Sequence, residues 1–416
     1  MPLLTSPLVT PLTEDWRETL DTVARGRGWP SSRDPERLAV NVASLSAAYN
    51  TKGASASLHS RDALSARLGF SFARDVPKSA GAIRELVATG ALAMPSDRAL
   101  RILDLGAGLG ASSWGVTRAL EALARFKGGR IEATCVDDDA EALSLAVAIG
   151  RVRSGHPAPI ELALEPLHVS ALQGLSRVRG PFDLVLLGQV LSEVGADSDA
   201  ERLERHVSLV RSSLDSLAPD GSVVIVEPAL RERTRHLHAV RDALLARHEG
   251  VTVFAPCVHE APCPALAEEG QWCHEDLDVD LPAWLVPVAR AAGLRWQGLT
   301  FSYLVLRKDG RSLRSFATTH VPPAALVRVV SGAIVTKGKR EAFVCGEVQR
   351  DGVQVIARVR AMRVDREASA SNVAWTELAR GGLLACSPPL DADKPRFRQG
   401  SGVMDATPAP GRAAAV

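Results

Sequence analysis

Three cysteines fall within the stretch "CVHEAPCPALAEEGQWCH", residues 257–274, with two histidines among them. Their spacings, C-x5-C and C-x9-C, match neither the C-x2-C knuckle of common zinc fingers nor the C-x2-C-x2-C run of bacterial ferredoxins. Six cysteines in 416 residues are too few for a disulfide framework, so clustered thiols point to metal binding in a reducing compartment. Pro256, Pro262 and Pro264 stiffen the stretch and reduce the conformational freedom lost when thiolates converge on a metal. Cys257, Cys263 and Cys273 supply three ligands. The fourth is open among Cys345, Cys386, His259 and His274, and spacing alone leaves the metal open as well. Cys135, inside an apolar run, reads as a core thiol.

A second constellation lies in "RILDLGAGLGASSW", where Asp104 ends an apolar run and Gly106, Gly108 and Gly110 follow before a helix start. Glycines there let a tight turn bring backbone N–H groups against a ligand with no Cβ in the way. The spacing also fits a dinucleotide-binding G-x-G-x-x-A, so glycines alone do not choose the cofactor. An acid two residues before the first glycine resembles the first motif of class I S-adenosylmethionine (SAM) methyltransferases, in which it helps hold the cationic methionine part of the cofactor. Asp137, ending "CVD", is placed to accept hydrogen bonds from ribose hydroxyls. "FDLVLLGQVLSEV", with Asp183 before the apolar run and Gly188-Gln189 after it, resembles the segment beside the transferred methyl. Asp104, Gly106, Gly108, Gly110, Asp137, Asp183 and Gln189 are the expected cofactor-binding residues, and no general base is assigned.

These residues need a scaffold that aligns several strand ends. Apolar runs "RILDLGAG", "IEATCVDDD", "IELALEPL", "FDLVLLGQVL" and "GSVVIVEPAL" alternate with helical stretches, which predicts an α/β fold with a parallel sheet buried on both faces. Residues 1–94 read as a helical N-terminal segment and 95–306 as the Rossmann-like domain with the cysteine stretch. Residues 307–386 read as a small basic β module, and the Pro-, Gly- and Ala-rich 387–416 as a disordered tail. The N-terminus lacks a basic start and an apolar signal core, which predicts a cytoplasmic protein.

Taken together, "LDLGAGLGASSW", "FDLVLLGQVLSEV", "VEPAL", the cysteine stretch and "FVCGEVQRDG" resemble the mitochondrial small-ribosomal-subunit methyltransferase-like proteins and their bacterial relatives, over roughly residues 40–375. The resemblance implies a class I SAM-methyltransferase fold and a 4Fe-4S cluster held by Cys257, Cys263, Cys273 and Cys345. It also implies action on the small ribosomal subunit and its RNA, and the lack of a targeting segment favours a bacterial cytoplasmic relative. Three functional readings follow: an RNA-binding SAM protein that methylates its target, a non-catalytic assembly factor, and a small-molecule methyltransferase with a zinc clip.

Charge bears on the RNA reading. Lys plus Arg number 49 and Asp plus Glu 48, so attraction for nucleic acid must come from placement. Residues 307–366 hold thirteen basic and five acidic side chains, and "TKGKR" with Arg358 and Arg360 are the expected phosphate contacts. Aromatic residues are few there, which disfavours base stacking by this module.

Overall fold

The computed structural model describes residues 8–49, 59–321, 324–336, 339–363, 370, 372–377, 379–397 and 400–408. β1 (Leu100–Leu105), β2 (Arg130–Asp137), β3 (Glu161–His168), β4 (Phe182–Gly188) and β5 (Leu217–Glu227) pair in parallel, as the alternation of apolar runs and helices predicts. β6 (Thr252–Ala255), β7 (Glu275–Leu277) and β8 (Leu299–Arg307) complete the sheet. Its order is β3-β2-β1-β4-β5-β8-β6, with β7 pairing on β8 and β8 antiparallel to β5. This doubly wound sheet with one reversed strand near its edge is the class I SAM-methyltransferase fold.

The period-two rule sorts the strand residues cleanly. Ile102, Leu184, Leu186, Val224 and Val226 pack on one face, under the helices Phe72–Ala88 and Ala111–Glu121. Leu103, Leu105, Val185, Leu187, Val223 and Ile225 pack on the other, under Asp199–Asp215 and Arg231–Arg247. β3 departs from the expectation of strands buried on both faces. It is the sheet edge, and its residues are exposed or half-buried throughout.

The N-terminal helices Glu14–Gly26 and Pro35–Tyr49 share a core with the helix Ala140–Arg153, through residues such as Trp16, Leu38 and Leu145, and so pack onto the sheet domain. Between Arg61–Ala66 and Phe72–Ala88 the chain makes a π-helical turn, Arg67–Ser71. Residues 1–7 and 50–58 of the expected helical segment lie outside the described residues. Among the described residues no helix is long and apolar enough to cross a membrane.

A second sheet follows: β9 (Ala325–Val329), β10 (Ile334–Thr336), β11 (Lys339–Arg350), β12 (Val353–Arg363), β13 (Leu383–Ser387), β14 (Leu390–Asp391), β15 (Arg396–Phe397) and β16 (Gly402–Asp405). The order is β15-β12-β11-β9-β13-β16, with β10 and β14 both on β11. Val344, Trp375, Leu384, Phe397 and Val403 fill one face, while Leu326, Leu383 and Ala385 join the core of the first sheet beside Phe301. The two sheets therefore share buried surface.

Two expectations about this region change. Arg307 belongs to β8 of the first sheet, and the second sheet runs beyond residue 386. Residues 387–397 and 400–408 are not a free tail: Phe397 and Val403 are buried, and β16 pairs with β13 from Leu384↔Asp405 to Ser387↔Gly402. Strands of two to four residues leave no periodic trace in a Pro- and Gly-rich sequence, and only their partners define them. Residues 398–399 and 409–416 lie outside the described residues.

Candidate functional site

A cavity of about 630 Å³ opens at the C-terminal ends of β1, β2 and β4, the crevice where doubly wound sheets bind ligands. Its floor is the glycine turn. Gly106 and Gly108 hold left-handed φ values of 66° and 52°. A Cβ on Gly106 would stand 2.6 Å from Val190 Cγ2, whereas one on Gly108 would meet nothing within 4 Å among the described residues. Gly106 is thus required for packing, and the open side of Gly108 leaves backbone accessible to a ligand.

Asp137, at the end of β2, lines the cavity with its carboxylate held in place: Gly108 N–H donates to Oδ2 at 2.7 Å and Asp139 N–H to Oδ1 at 2.9 Å. Burial raises its pKa, and those two hydrogen bonds oppose the rise. Gly188 and Gln189 also line the cavity, and Gln189 is held at a φ of 64°, a strained conformation for a residue with a side chain.

Three expected cofactor residues are placed otherwise. Gly110 lies behind the turn as the N-cap of the helix Ala111–Glu121, at a φ of 78°. Asp104 is fully buried outside the lining; its Oδ2 accepts from Ser113 N–H at 3.2 Å and from Ser113 Oγ–H at 2.7 Å. Among the described residues its Oδ1 is buried without a hydrogen-bond partner, and burial pushes the carboxyl up to about 7. Asp183 corrects the motif reading outright. It sits at the start of β4, the end opposite the cavity, and takes both guanidinium nitrogens of Arg98 at 2.6 and 2.7 Å. A residue that precedes the apolar run of a parallel strand belongs to the sheet's N-terminal edge, away from the ligand crevice.

The opposite wall was not legible as a motif. Helices of the N-terminal segment supply Tyr49, Arg67, Arg74 and Lys78, with Arg67 delivered by the π-turn. Glu193 faces them from the loop after β4. It is open to the cavity's solvent yet enclosed by protein, and that enclosure raises its pKa against the opposing pull of Arg67.

The cysteines make a second, smaller site. Cys257, Cys263, Cys273 and Cys345 line one cavity of about 40 Å³ between the two sheets, together with Arg241, Arg328 and Arg358. Strand register explains the later members: Cys345 in β11 pairs with Arg328 in β9 on one side and Arg358 in β12 on the other. Cys386 is buried in the core of the second sheet, and His274 Nε2 lies 3.1 Å from Arg380 Nη1; neither lines this cavity. Burial, reinforced by the neighbouring thiols, pushes Cys263 up to about 11 and Cys273 up to about 12, and raises Cys345 well above the ordinary thiol range. Among the described residues no group of three or more His, Cys, Asp or Glu side chains is gathered to hold a single metal ion.

One helix, Arg231–Arg247, holds the irregular cysteine loop. Arg235 Nη1 donates to the carbonyls of Ala265, Glu268 and Gln271 at 2.7–2.8 Å. Arg241, 1% exposed, donates to His259 O at 2.6 Å and Ala261 O at 3.0 Å. Asp242 Oδ2 accepts from Cys263 N–H at 2.8 Å, and His238 Nε2 accepts from Cys273 N–H at 3.3 Å. His259 Nδ1 faces the carbonyl of Ala261 at 3.1 Å, so it carries the proton and leaves Nε2 to accept from the Cys345 thiol at 3.8 Å. Burial lowers the His259 pKa to about 4, which keeps the ring neutral.

The family model described as "Mitochondrial small ribosomal subunit Rsm22" matches residues 71–376, well over half of the chain. The chain belongs to the Rsm22 family. No curated protein matches it. Among solved structures, a SAM-dependent methyltransferase from Agrobacterium tumefaciens is 15% identical, with 56% of this chain and 62% of that one covered and a TM-score of 0.33. A methyltransferase homologue from Pyrococcus horikoshii is 16% identical, with 57% and 66% covered and a TM-score of 0.34. An rRNA methylase from Streptococcus thermophilus is 13% identical, with 56% and 96% covered and a TM-score of 0.29. This Rsm22-family chain thus spans less than two thirds of the first two proteins, and at these scores its fold assignment rests on its own strand order.

Several arginines of residues 307–366 are engaged within the protein, while Lys339, among the expected phosphate contacts, stays exposed. Arg307 is fully buried against Asp309 and Ser222, Arg328 against Glu85 and Glu275, and Arg314 and Arg360 pair with Glu347 and Glu341. Arg358 faces the cysteine cavity and lies 4.3 Å over the Phe343 ring. Glu85 and Glu275 come from outside residues 307–366, so a charge count over that window misses them. Lys337 and Arg366 lie outside the described residues.

Proposed function

We propose that this Rsm22-family protein is a SAM-dependent methyltransferase acting on small-subunit ribosomal RNA, with a structural 4Fe-4S cluster that pins its second sheet to its first. The observation that carries the cofactor reading is the cavity at the strand ends, with the open Gly108 backbone on its floor and the braced Asp137 carboxylate at its side. When bound, SAM supplies an electrophilic methyl on a cationic sulfur. Asp137 accepts hydrogen bonds from a ribose, Gly106 and Gly108 let the backbone approach, and Gln189 holds the loop beside the acceptor side of the cavity. Asp104 acts from beneath, fixing the start of the helix Ala111–Glu121 through Ser113.

The cysteine site fits a cluster by its donor chemistry. Four thiols line the cavity, and among its lining guanidinium groups Arg358, with no carboxylate partner among the described residues, can offset the net negative charge of a thiolate-bound iron–sulfur unit, while Arg328 and Arg241 are already paired with Glu85, Glu275 and Asp242. A single zinc ion would instead draw its four sulfurs to within about 3.8 Å of one another. The raised thiol pKa values mean that loading releases protons from the cysteines. Such a cluster supplies a cross-link between the loop after β6 and β11 of the second sheet.

Calorimetry with S-adenosylhomocysteine (SAH), followed by tritium transfer from labelled SAM to immature small subunits, tests the reading. Binding with transfer into RNA is expected. Binding without transfer points to an assembly factor, and absence of binding removes the cofactor assignment.

A further inference from the structure

The wall opposite the glycine turn carries a charge arrangement that the cofactor reading does not use. Tyr49, Arg67 and Glu193 line the cavity as neighbours. Arg67 and Glu193 feel each other's charge without an ion pair within 4.0 Å among the described residues; Tyr49 stands between them, its hydroxyl hydrogen-bonded to Arg67 and 3.5 Å from Glu193 Oε1. Among the described residues, Arg67 Nε is buried without a hydrogen-bond partner. Nearby charges are otherwise engaged: Lys78 with Asp75 at 2.7 Å, Arg205 with Glu201 at 2.7 Å, His59 with Asp139 at 3.1 Å, and Asp137 with two backbone N–H groups.

A guanidinium only donates hydrogen bonds, an ionised carboxylate only accepts them, and a phenol does either. A neutral ligand that satisfies all three must be planar or nearly so and carry donors and acceptors side by side on one edge; the competing occupant is the zwitterionic amino-acid end of SAM, whose loss would show as weakened SAH binding in the Arg67 and Glu193 variants. A phosphate here would be repelled by Glu193, an ammonium by Arg67, and an apolar group would leave enclosed polar atoms unsatisfied. A nucleobase edge has the required pattern, with amino or ring N–H groups beside carbonyl or ring-nitrogen acceptors. Enzymes that act on a base take it out of the stack into such a pocket, because a duplex cannot enter. Arg233, which also lines the cavity and donates to the Tyr49 carbonyl at 3.3 Å, and Arg74 supply positive charge for the flanking backbone.

We propose that the space between Tyr49, Arg67 and Glu193 is the acceptor subsite, and that it takes the base of an unpaired ribonucleotide. This rests on the reading of the neighbouring glycine turn as the SAM site. Glu193 accepts from the base's N–H edge, Arg67 donates to its acceptor edge, and Tyr49 sets the width of the slot.

The test uses the full chain saturated with SAH and a labelled single-stranded RNA 12-mer of mixed sequence, read by fluorescence anisotropy beside a 12-mer of abasic residues. The expected result is that the parent RNA binds at least tenfold tighter than the abasic strand. Glu193→Gln and Arg67→Met should remove most of that difference while SAH affinity, measured by calorimetry, stays within threefold. Tyr49→Phe, which deletes one hydroxyl, should lose roughly threefold in RNA affinity even where a charge variant disturbs the cavity. Equal binding of parent and abasic strands, or unchanged RNA affinity in all three variants, overturns the subsite; failure of the wild type to bind SAH overturns the cofactor reading instead.

Discussion

Arg328 in β9 donates through Nη1 to Glu85 Oε1 at 2.7 Å, joining the second sheet to a helix 243 residues earlier. Its Nη2 reaches Tyr303 Oη at 2.9 Å and Glu275 Oε2 at 3.3 Å, while Arg84 donates to Glu275 Oε2 at 2.6 Å and Tyr303 to Glu85 Oε2 at 2.7 Å. Two guanidinium groups, two carboxylates and a phenol are buried together, and Tyr303 and Arg328 also line the cysteine cavity. Burial alone would raise the Glu275 pKa; Arg84 and Arg328 bring it below the ordinary carboxylate range.

Breaking that network on one side leaves a buried charge uncompensated. Glu85→Gln is expected to cost about 3–5 kcal/mol in urea denaturation. Glu85→Gln combined with Arg328→Met should recover part of the loss, because the orphaned guanidinium is gone. A simple sum of the two single effects would show that the groups do not act as a unit.

Asp104 gives a pH signature. Its folded pKa of about 7 lies above the unfolded value of 3.8, so the folded state binds the proton more tightly. Its contribution is therefore fully present below the unfolded pKa, is lost as pH rises through the folded pKa, and levels off above about 8. Asp104→Asn removes the titration, and its stability relative to the wild type should rise by about 4 kcal/mol between pH 4 and pH 8. A difference that stays flat with pH in paired thermal melts would place Asp104 in a more polar setting.

Asp137→Ala should weaken SAH binding about tenfold by calorimetry, through loss of the ribose contact and of the acceptor that braces Gly108 N–H. Asp183→Asn should leave SAH affinity unchanged and lower stability, since that carboxylate serves Arg98 at the far edge of the sheet. An affinity loss for Asp183→Asn equal to that for Asp137→Ala would reverse this division.

Cys345→Ser and Cys386→Ser distinguish a ligand from a core thiol. The first should reduce the iron retained after anaerobic purification to less than half; the second should keep it, at the expense of roughly 1–2 kcal/mol for a hydroxyl placed in the core of the second sheet. Equal iron in both variants would remove Cys345 from the ligand set.

The first sheet is legible in the sequence through its central strands β1, β4 and β5, which are apolar and buried, and the glycine turn is legible because positive φ demands glycine. Asp183 misleads because a motif names a residue without saying which end of the strand it occupies. Tyr49 and Arg67 carry no signature, since they reach the cavity only when the N-terminal helices pack against the sheet, whereas Glu193 lies within the marked stretch "FDLVLLGQVLSEV". Arg328 counts toward a basic module in the sequence because its carboxylates, Glu85 and Glu275, are remote from it along the chain. Arg235, His238, Arg241 and Asp242 share one face of a helix and read as ordinary helical polarity, although together they shape the cysteine loop.

The most direct test of the whole account is metal and sulfide analysis of the full chain purified without oxygen, with a visible spectrum of the same sample. The account predicts a brown protein with about four irons and four acid-labile sulfides per chain. A colourless protein holding one zinc, or no metal while fully folded, would contradict it.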